Sequence, residues 1–442
     1  MKKLTPYQLL LFGYIFITLI GAMILSLPVS SAKGTAQPFL DALFVSSSGI
    51  STTGLSVVDI GSYYSFFGQI VLLVIFQIGG IGYMTFIIFT AYMLGMGRSL
   101  KTSLVARESL VGSDLNLLET FFKKVLLYTC FFELSGTIIL ALIWMKDYPL
   151  WQSLYLGLYH SVAAFCTAGF GLFSDSLMKY QHNVLLNVTI IILSLAGGLG
   201  FFVLDDIRNY IHRKIKKQYP ARLAVHTKLV LITTFIIILA GTAVIYMAED
   251  WQPITANNYE KGMHSVFQAV SASTTDGYNT IDIGKMSLTS WIMIMLLMFV
   301  GASPGSTGGG IKTTTFALLF ILIWSKLRDR NFNIFKREIG DQGIYNAVII
   351  FIFFLAIIFI DALVMAFTEK ASFIQVLFEI VSALGNTGLS TGITAALSNA
   401  GRAILSLTMF IGRVGPLIVA TAVITKPKKV LYRYAREDVF IG

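Results

Sequence analysis

Charged side chains are what this sequence has least of. Only 13% of its 442 residues are Asp, Glu, Lys or Arg, while 55% are hydrophobic. Soluble globular domains carry about a quarter charged residues, so a soluble globular chain is excluded. Cysteine is nearly absent too. Cys130 and Cys166 stand in apolar surroundings without metal-ligand spacing, which argues against a disulfide framework. There is no His-Glu-x-x-His stretch, and His160 and His264 fall on short helices without ligand spacing. An intramembrane metalloenzyme has no machinery here. The net charge of +10 would suit a nucleic-acid partner, but the basic residues cluster in the connections between apolar runs, as in the cytoplasmic loops of membrane proteins. No nucleic acid is expected.

What the sequence has in abundance is apolar runs of about 18 residues or more, the length of membrane-spanning helices. The first, residues 9–27, follows Lys2 and Lys3 and ends at Pro28. It outruns the roughly 7–15 apolar residues of a signal peptide and reads as a first span. Between the runs lie polar stretches such as Ser51-Thr52-Thr53-Gly54-Leu55. Lipid cannot satisfy the backbone of such a stretch, so it must be buried in protein or line a wet cavity.

The same frame returns three times. Gly54, Gly169, Gly277 and Gly388 stand 115, 108 and 111 residues apart. Ten residues before each is an aromatic ring (Phe44, Tyr159, Phe267, Phe378), and six before is a small residue (Ser48, Ala163, Ser271, Ser382). Two before is a polar residue (Thr52, Thr167, Thr275, Asn386), and one after is a large one (Leu55, Phe170, Tyr278, Leu389). Repetition of this kind settles the architecture before any local motif. Each repeat reads as a span, a short helix, the polar turn and a second span. The short helices (residues 39–48, 150–165, 259–272 and 372–384) rise about 1.5 Å per residue and cannot cross roughly 30 Å of hydrocarbon. They must enter and return on one side.

The expected fold is therefore an all-α integral membrane protein of four tandem M1–P–M2 repeats. Eight spanning helices and four re-entrant pore helices would surround a pseudo-fourfold pore. The repeats are residues 1–96, 97–207, 208–326 and 327–425, followed by a cytoplasmic C-terminal tail at 426–442. Lys and Arg number 24 at the termini and inter-repeat connections against seven on the re-entrant side. Basic residues favour the cytoplasm, so the expectation is a multi-pass plasma membrane protein with both termini cytoplasmic.

Short helices pointing inward each place about half a negative charge near the membrane centre, which favours a cation there. The turns offer backbone carbonyls that replace a cation's hydration shell. The candidate selectivity filter is Thr52, Thr53 and Gly54; Thr167, Ala168 and Gly169; Thr275, Asp276 and Gly277; Asn386, Thr387 and Gly388. The competing reading, four glycines that merely allow tight helix packing, is hard to reconcile with four matched frames. Asp59, Asp175 and Asp282 lie beyond three of the turns; they either concentrate cations at the mouth or are ordinary solvated acids. Asp276 lies inside the third turn, where bracing by hydrogen bonds is the plainer role. Asp41 and Glu379 lie on short helices, and Asp41 near an N-terminus complements the dipole.

The second span of each repeat is interrupted by glycine: Gly79, Gly80 and Gly82; Gly197, Gly198 and Gly200; Gly412 and Gly415 with Pro416. In the third repeat the interruption runs over residues 301–315. Its poor helix propensity and unpaired backbone imply a wet cavity, and its place below the turn suits a gate. The candidate gate residues are Gly301, Pro304, Gly305, Gly308, Gly309, Gly310 and Lys312, with Arg413 from the fourth repeat. The spacing from Gly305 to Gly310 is that of a phosphate-binding loop, but Ile311 displaces Lys312 by one. Arg413 is an arginine within an apolar span, where charges face a cavity or a partner. It is either an electrostatic barrier paired with loop carbonyls or a structural ion pair.

These features together resemble the superfamily of K⁺ transporters with four joined M1–P–M2 units, which covers Trk, Ktr and plant HKT proteins. The resemblance spans nearly the whole chain, and the short eight-span form is most similar to the Ktr-type membrane subunit of bacteria. It implies K⁺ uptake, with K⁺ held by filter carbonyls and Na⁺ affecting activity. It also implies a homodimer bound to a cytoplasmic nucleotide-binding ring that controls the intramembrane loop, the nucleotide sitting on the ring. In HKT proteins a serine in the first filter goes with Na⁺ preference; Gly54 stands there in this sequence. Ring contacts are expected at residues 98–114 and 208–228 from position and charge alone. The basic, aromatic tail is either a membrane-surface segment or, as the resemblance implies, a help to the dimer interface and partner docking. The rival readings are a transporter for Na⁺ or another monovalent cation, an intramembrane enzyme, and a passive membrane anchor.

Overall fold

A computed structural model describes residues 6–93, 115–252, 254–328, 333–335, 337–338 and 341–415. The expected ring contacts at 98–114, Pro416 and the tail at 426–442 lie outside the described residues. The helices are α1 (Pro6–Ser26), α2 (Phe39–Ile50), α3 (Phe66–Met93), α4 (Leu115–Trp144), α5 (Leu150–Phe165), α6 (Val184–Leu199) and α7 (Phe201–Ile215). They continue as α8 (Val225–Ala248), α9 (Asn258–Thr274), α10 (Leu288–Val300), α11 (Thr313–Leu327), α12 (Asp341–Thr368), α13 (Phe373–Gly385) and α14 (Asn399–Val414).

Local chemistry sets the boundaries. The short helices α2 and α5 start directly after Pro38 and Pro149, whose missing N–H leaves one fewer donor to satisfy. α9 is capped by Asn257, which accepts from Tyr259 N at 3.0 Å, and α13 by a Ser372–Gln375 capping box. The helices that follow the turns use the same device: Asn183, Ser287 and Ser398 accept from the backbone N–H groups of Leu186, Ser290 and Gly401.

The helices pack in triads. α1, α2 and α3 contact one another, as do α4, α5 and α6; α8, α9 and α10; and α12, α13 and α14. The third helix of each triad also packs on the short helix of the next: α3 on α5, α6 on α9, α10 on α13, and α14 back on α2. The chain of contacts closes on itself. Each short helix is buried toward its C-terminal end, with Ser46, Ser48, Ser271 and Ser382 at most 2% exposed. The outer helices instead turn apolar side chains outward; Phe235 is 66% exposed and Phe359 70%. Helices apolar all round belong in a bilayer.

By length and composition three helices among the described residues suffice to cross a membrane: Thr120–Trp144, Val225–Ala248 and Gly343–Thr368. The pair Val184–Leu199 and Phe201–Ile215 reaches span length together but is bent by 100°. The apolar run of residues 184–204 is therefore two helices and not one continuous span. Gly200 adopts φ +88°, a conformation that glycine reaches without a Cβ clash, and α6 stops there. In the other triads the helix breaks at Gly82 (φ +90°), at Gly301 (φ +52°), where a longer segment begins, and at Gly415 (φ +90°). Gly79, Gly80, Gly197, Gly198 and Gly412 are helical rather than interruptions. They allow close approach instead: a Cβ at Gly79, Gly197 or Gly412 would collide with the carbonyl of Ile50, Phe165 or Leu384 near the end of the same triad's short helix.

Candidate functional site

All four short helices end in the same way. The N–H groups of Thr53, Ala168, Asp276 and Thr387 reach back five residues to the carbonyls of Ser48, Ala163, Ser271 and Ser382, at 2.8–2.9 Å. The preceding residues donate back three residues, to Gly49, Ala164, Ala272 and Ala383. This bond pair is a Schellman motif, which needs a left-handed residue at its corner. Thr52 (φ +53°), Thr167 (φ +51°), Thr275 (φ +59°) and Asn386 (φ +53°) occupy that corner. Two residues on, Gly54, Gly169, Gly277 and Gly388 also have positive φ, at +93°, +64°, +89° and +87°.

The four glycines meet. A Cβ on Gly54 would lie 2.6 Å from Ala168 O, and one on Gly169 would lie 2.5 Å from Asp276 O. One on Gly277 would strike Thr387 O, and one on Gly388 would strike Thr53 O. Each turn thus abuts the carbonyl just before the next glycine, and the fourth abuts the first. Above this ring lies a cavity of about 260 Å³, floored by Gly54, Gly169, Gly277 and Gly388.

Beneath the ring lies the segment between α10 and α11. Thr307 O accepts from Thr52 Oγ1 at 3.2 Å, and Thr307 Oγ1 lies 3.2 Å from Thr167 Oγ1. Gly309 N donates to Thr275 Oγ1 at 2.9 Å, and a Cβ on Gly309 would meet Asn386 Cβ at 2.7 Å. The segment therefore touches all four corner residues. Arg413 donates to Thr307 O and to Gly79 O, and Lys312 Nζ donates to Gly308 O at 2.7 Å and Gly309 O at 3.4 Å.

The comparisons with known proteins cover the whole of this arrangement. The family model described as TrkH, cation transport protein, matches residues 14–434. The chain belongs to the TrkH family. It is similar to the Ktr system potassium uptake protein B of Vibrio alginolyticus, at 35% identity over 98% of this chain and 94% of that protein. It is equally similar, at 35% identity over 100% of this chain and 97% of that protein, to the Ktr system potassium uptake protein B of Bacillus subtilis. Its fold matches the crystal structure of the potassium transporter TrkH from Vibrio parahaemolyticus with a TM-score of 0.70 at 17% identity, over 94% of this chain and 84% of that one. As a TrkH-family member the chain is a multi-pass membrane transport protein and not an enzyme.

Within the TrkH-family frame, the acids divide by position. Asp59 borders the cavity, and its carboxylate also accepts from Gly61 N at 3.2 Å and Ser62 Oγ at 2.6 Å. Asp282 caps its own turn and pairs with Lys285 at 3.0 Å. Asp276 is fully buried, with Oδ2 accepting from Ser194 Oγ at 2.7 Å. Its side chain braces the third turn against α6. Asp41 pairs with Arg402 at 2.6 Å, tying α2 to α14.

Two features depart from the sequence reading. Apart from Pro304, Gly305 and Ser306, the segment after α10 does not face a wet cavity. Residues 301–303 and 307–311 are buried, and two of their donors are taken up by α6: Ser303 N by Gly198 O at 3.0 Å and Thr307 N by Gly197 O at 3.2 Å. The last carbonyls of any helix lack intrahelical partners, and the stop at Gly200 leaves these ones free for the segment. It also ends sooner than expected, since α11 begins at Thr313. The most connected residue of the segment is Thr307, which sequence reasoning passed over; the one signal was a β-branched residue amid glycines.

Proposed function

We propose that this chain is the membrane subunit of a K⁺ uptake system, conducting K⁺ through the ring of Gly54, Gly169, Gly277 and Gly388. The observation that carries the reading is the closure of that ring by four turns of identical hydrogen bonding. Four M1–P–M2 repeats, at residues 1–96, 97–207, 208–326 and 327–425, then surround a pseudo-fourfold axis. Each short helix directs about half a negative charge at the axis. The turns supply only neutral carbonyl oxygens, ligands suited to an alkali cation that must bind and leave. The similarity to Ktr potassium uptake proteins supports K⁺ as the cargo.

The segment of residues 301–312 is the gate, and Arg413 is its electrostatic latch: a guanidinium beneath the ring repels a descending cation. A homodimer of the chain works with a cytoplasmic ring whose bound nucleotide controls the segment. Both termini lie in the cytoplasm, where 24 of the Lys and Arg residues gather. Purified full-length protein in liposomes tests the reading. K⁺ flux exceeding Na⁺ flux is expected; Na⁺ flux far above K⁺ flux would assign the frame to the other cation.

A further inference from the structure

The four turns are not held equally from outside. Nine residues before each ring glycine, on the short helix, stand Val45, His160, Gln268 and Glu379, each fully buried. Three residues past each glycine stand Val57, Leu172, Thr280 and Thr391. In the second turn His160 Nε2 accepts from Leu172 N at 3.3 Å. In the third, Gln268 Nε2 reaches Thr280 Oγ1 at 3.4 Å. In the first, Val45 has no polar group to offer, and among the described residues Ser56 and Val58 bond to each other.

The fourth turn is different in kind. Glu379 Oε1 accepts from Ser390 Oγ at 2.6 Å, Thr391 N at 3.0 Å and Thr391 Oγ1 at 3.3 Å, and Oε2 accepts from Thr394 Oγ1 at 2.8 Å. Ser390 and Thr394 themselves line the cavity above the ring. Hydrogen bonds to a carboxylate are roughly twice as strong as neutral ones. One buried acid thus grips the whole outer limb of the fourth turn, whose inner end is Gly388. All four of its donors are neutral.

We propose that Glu379 is a specificity-determining positioning residue: by holding the outer limb of the fourth turn it keeps the Gly388 carbonyl cage at the spacing that favours K⁺ over Na⁺. The inference rests on the pore reading above. A cage selects by the number and placement of its carbonyl dipoles, and the most tightly held limb has the most influence on that placement.

The test is the ratio of K⁺ to Na⁺ flux in liposomes, measured on the full-length chain. Glu379→Gln keeps an acceptor for Thr391 N and should hold the ratio within about threefold of the parent, whereas Glu379→Leu should lower it about tenfold, the scale of one lost charge-assisted bond. Ser390→Ala combined with Thr394→Val loosens the limb while retaining the carboxylate, and covers the case in which Glu379→Leu fails to fold; its ratio should fall in between. Val45→Ala, at the matched but ungripped position, should leave the ratio unchanged. A limb variant that loses total flux and thermal stability while keeping the parent ratio overturns the proposal, as does a Val45→Ala shift equal to that of Glu379→Leu. A parent chain that carries no cation overturns the pore reading and this inference with it.

Discussion

A threonine in the left-handed region is an uncomfortable residue, since its Cβ crowds the backbone at a cost of about 1–2 kcal/mol. This protein carries three at matched corners, Thr52, Thr167 and Thr275, where glycine or asparagine would fit more easily. Their hydroxyls give the reason: each meets Thr307 or Gly309 of the segment below. Thr275→Gly should relieve the strain and lose a bond worth about 1 kcal/mol, leaving stability nearly unchanged. The freed Gly309 N–H should loosen the segment, so flux without the partner ring should rise; thermal unfolding and flux measured together check both halves. Arg413 makes the opposite kind of contact, a charge donated to two carbonyls. Arg413→Ala should raise conduction if the guanidinium is a barrier. Unchanged flux in a well-folded variant would reduce it to a structural pin.

At the scale of elements, the segment between α10 and α11 is tied to α6 as well as to α10, where Ile311 N donates to Phe299 O at 3.0 Å. Gly197 and Gly198 supply two of its acceptors, and Gly305 returns the favour by accepting from Phe201 N at 3.0 Å. The segment is therefore a latch between the second and third triads. Removing residues 305–310 should raise flux and weaken its dependence on the partner ring, as read in liposomes with and without that ring; unaltered flux would end the gating role. The place of this latch was legible in the glycine-rich stretch, and the four turns were legible in their matched frames. The latch's partners were not. Gly79 and Gly197 read as breaks because glycine disfavours helix, yet both are helical and exist to admit a neighbouring carbonyl. Composition signals that a Cβ is missing but not whether the space serves a bend or a contact. The grip of Glu379 on Ser390–Thr394 was hidden for a similar reason, since it becomes visible only when the limb folds back over α13.

At the scale of the whole molecule, the ring makes the four turns one object. Each glycine is pressed not by its own triad but by the next one, and Gly388 closes the circuit on Thr53 O and Gly54 Cα. A second link supports the same seam: Asn386 Nδ2 donates to Thr53 Oγ1 at 3.0 Å. A side chain introduced at one turn must therefore distort its neighbour's carbonyls before its own. Gly54→Ser places a Cβ 2.6 Å from Ala168 O at φ +93°, so the second turn yields first and K⁺ preference over Na⁺ should fall about tenfold, or ~1.4 kcal/mol. Substitutions in contact are non-additive, whereas separated ones add within about 0.3–0.5 kcal/mol. Gly54→Ala with Gly388→Ala, adjacent in the ring, should deviate from additivity in the logarithm of the flux ratio. Gly169→Ala with Gly388→Ala, which share none of the atoms nearest to either glycine, should add. Equal coupling in the two pairs would mean that the turns respond as separate loops, and the ring would then be a feature of packing rather than of selection.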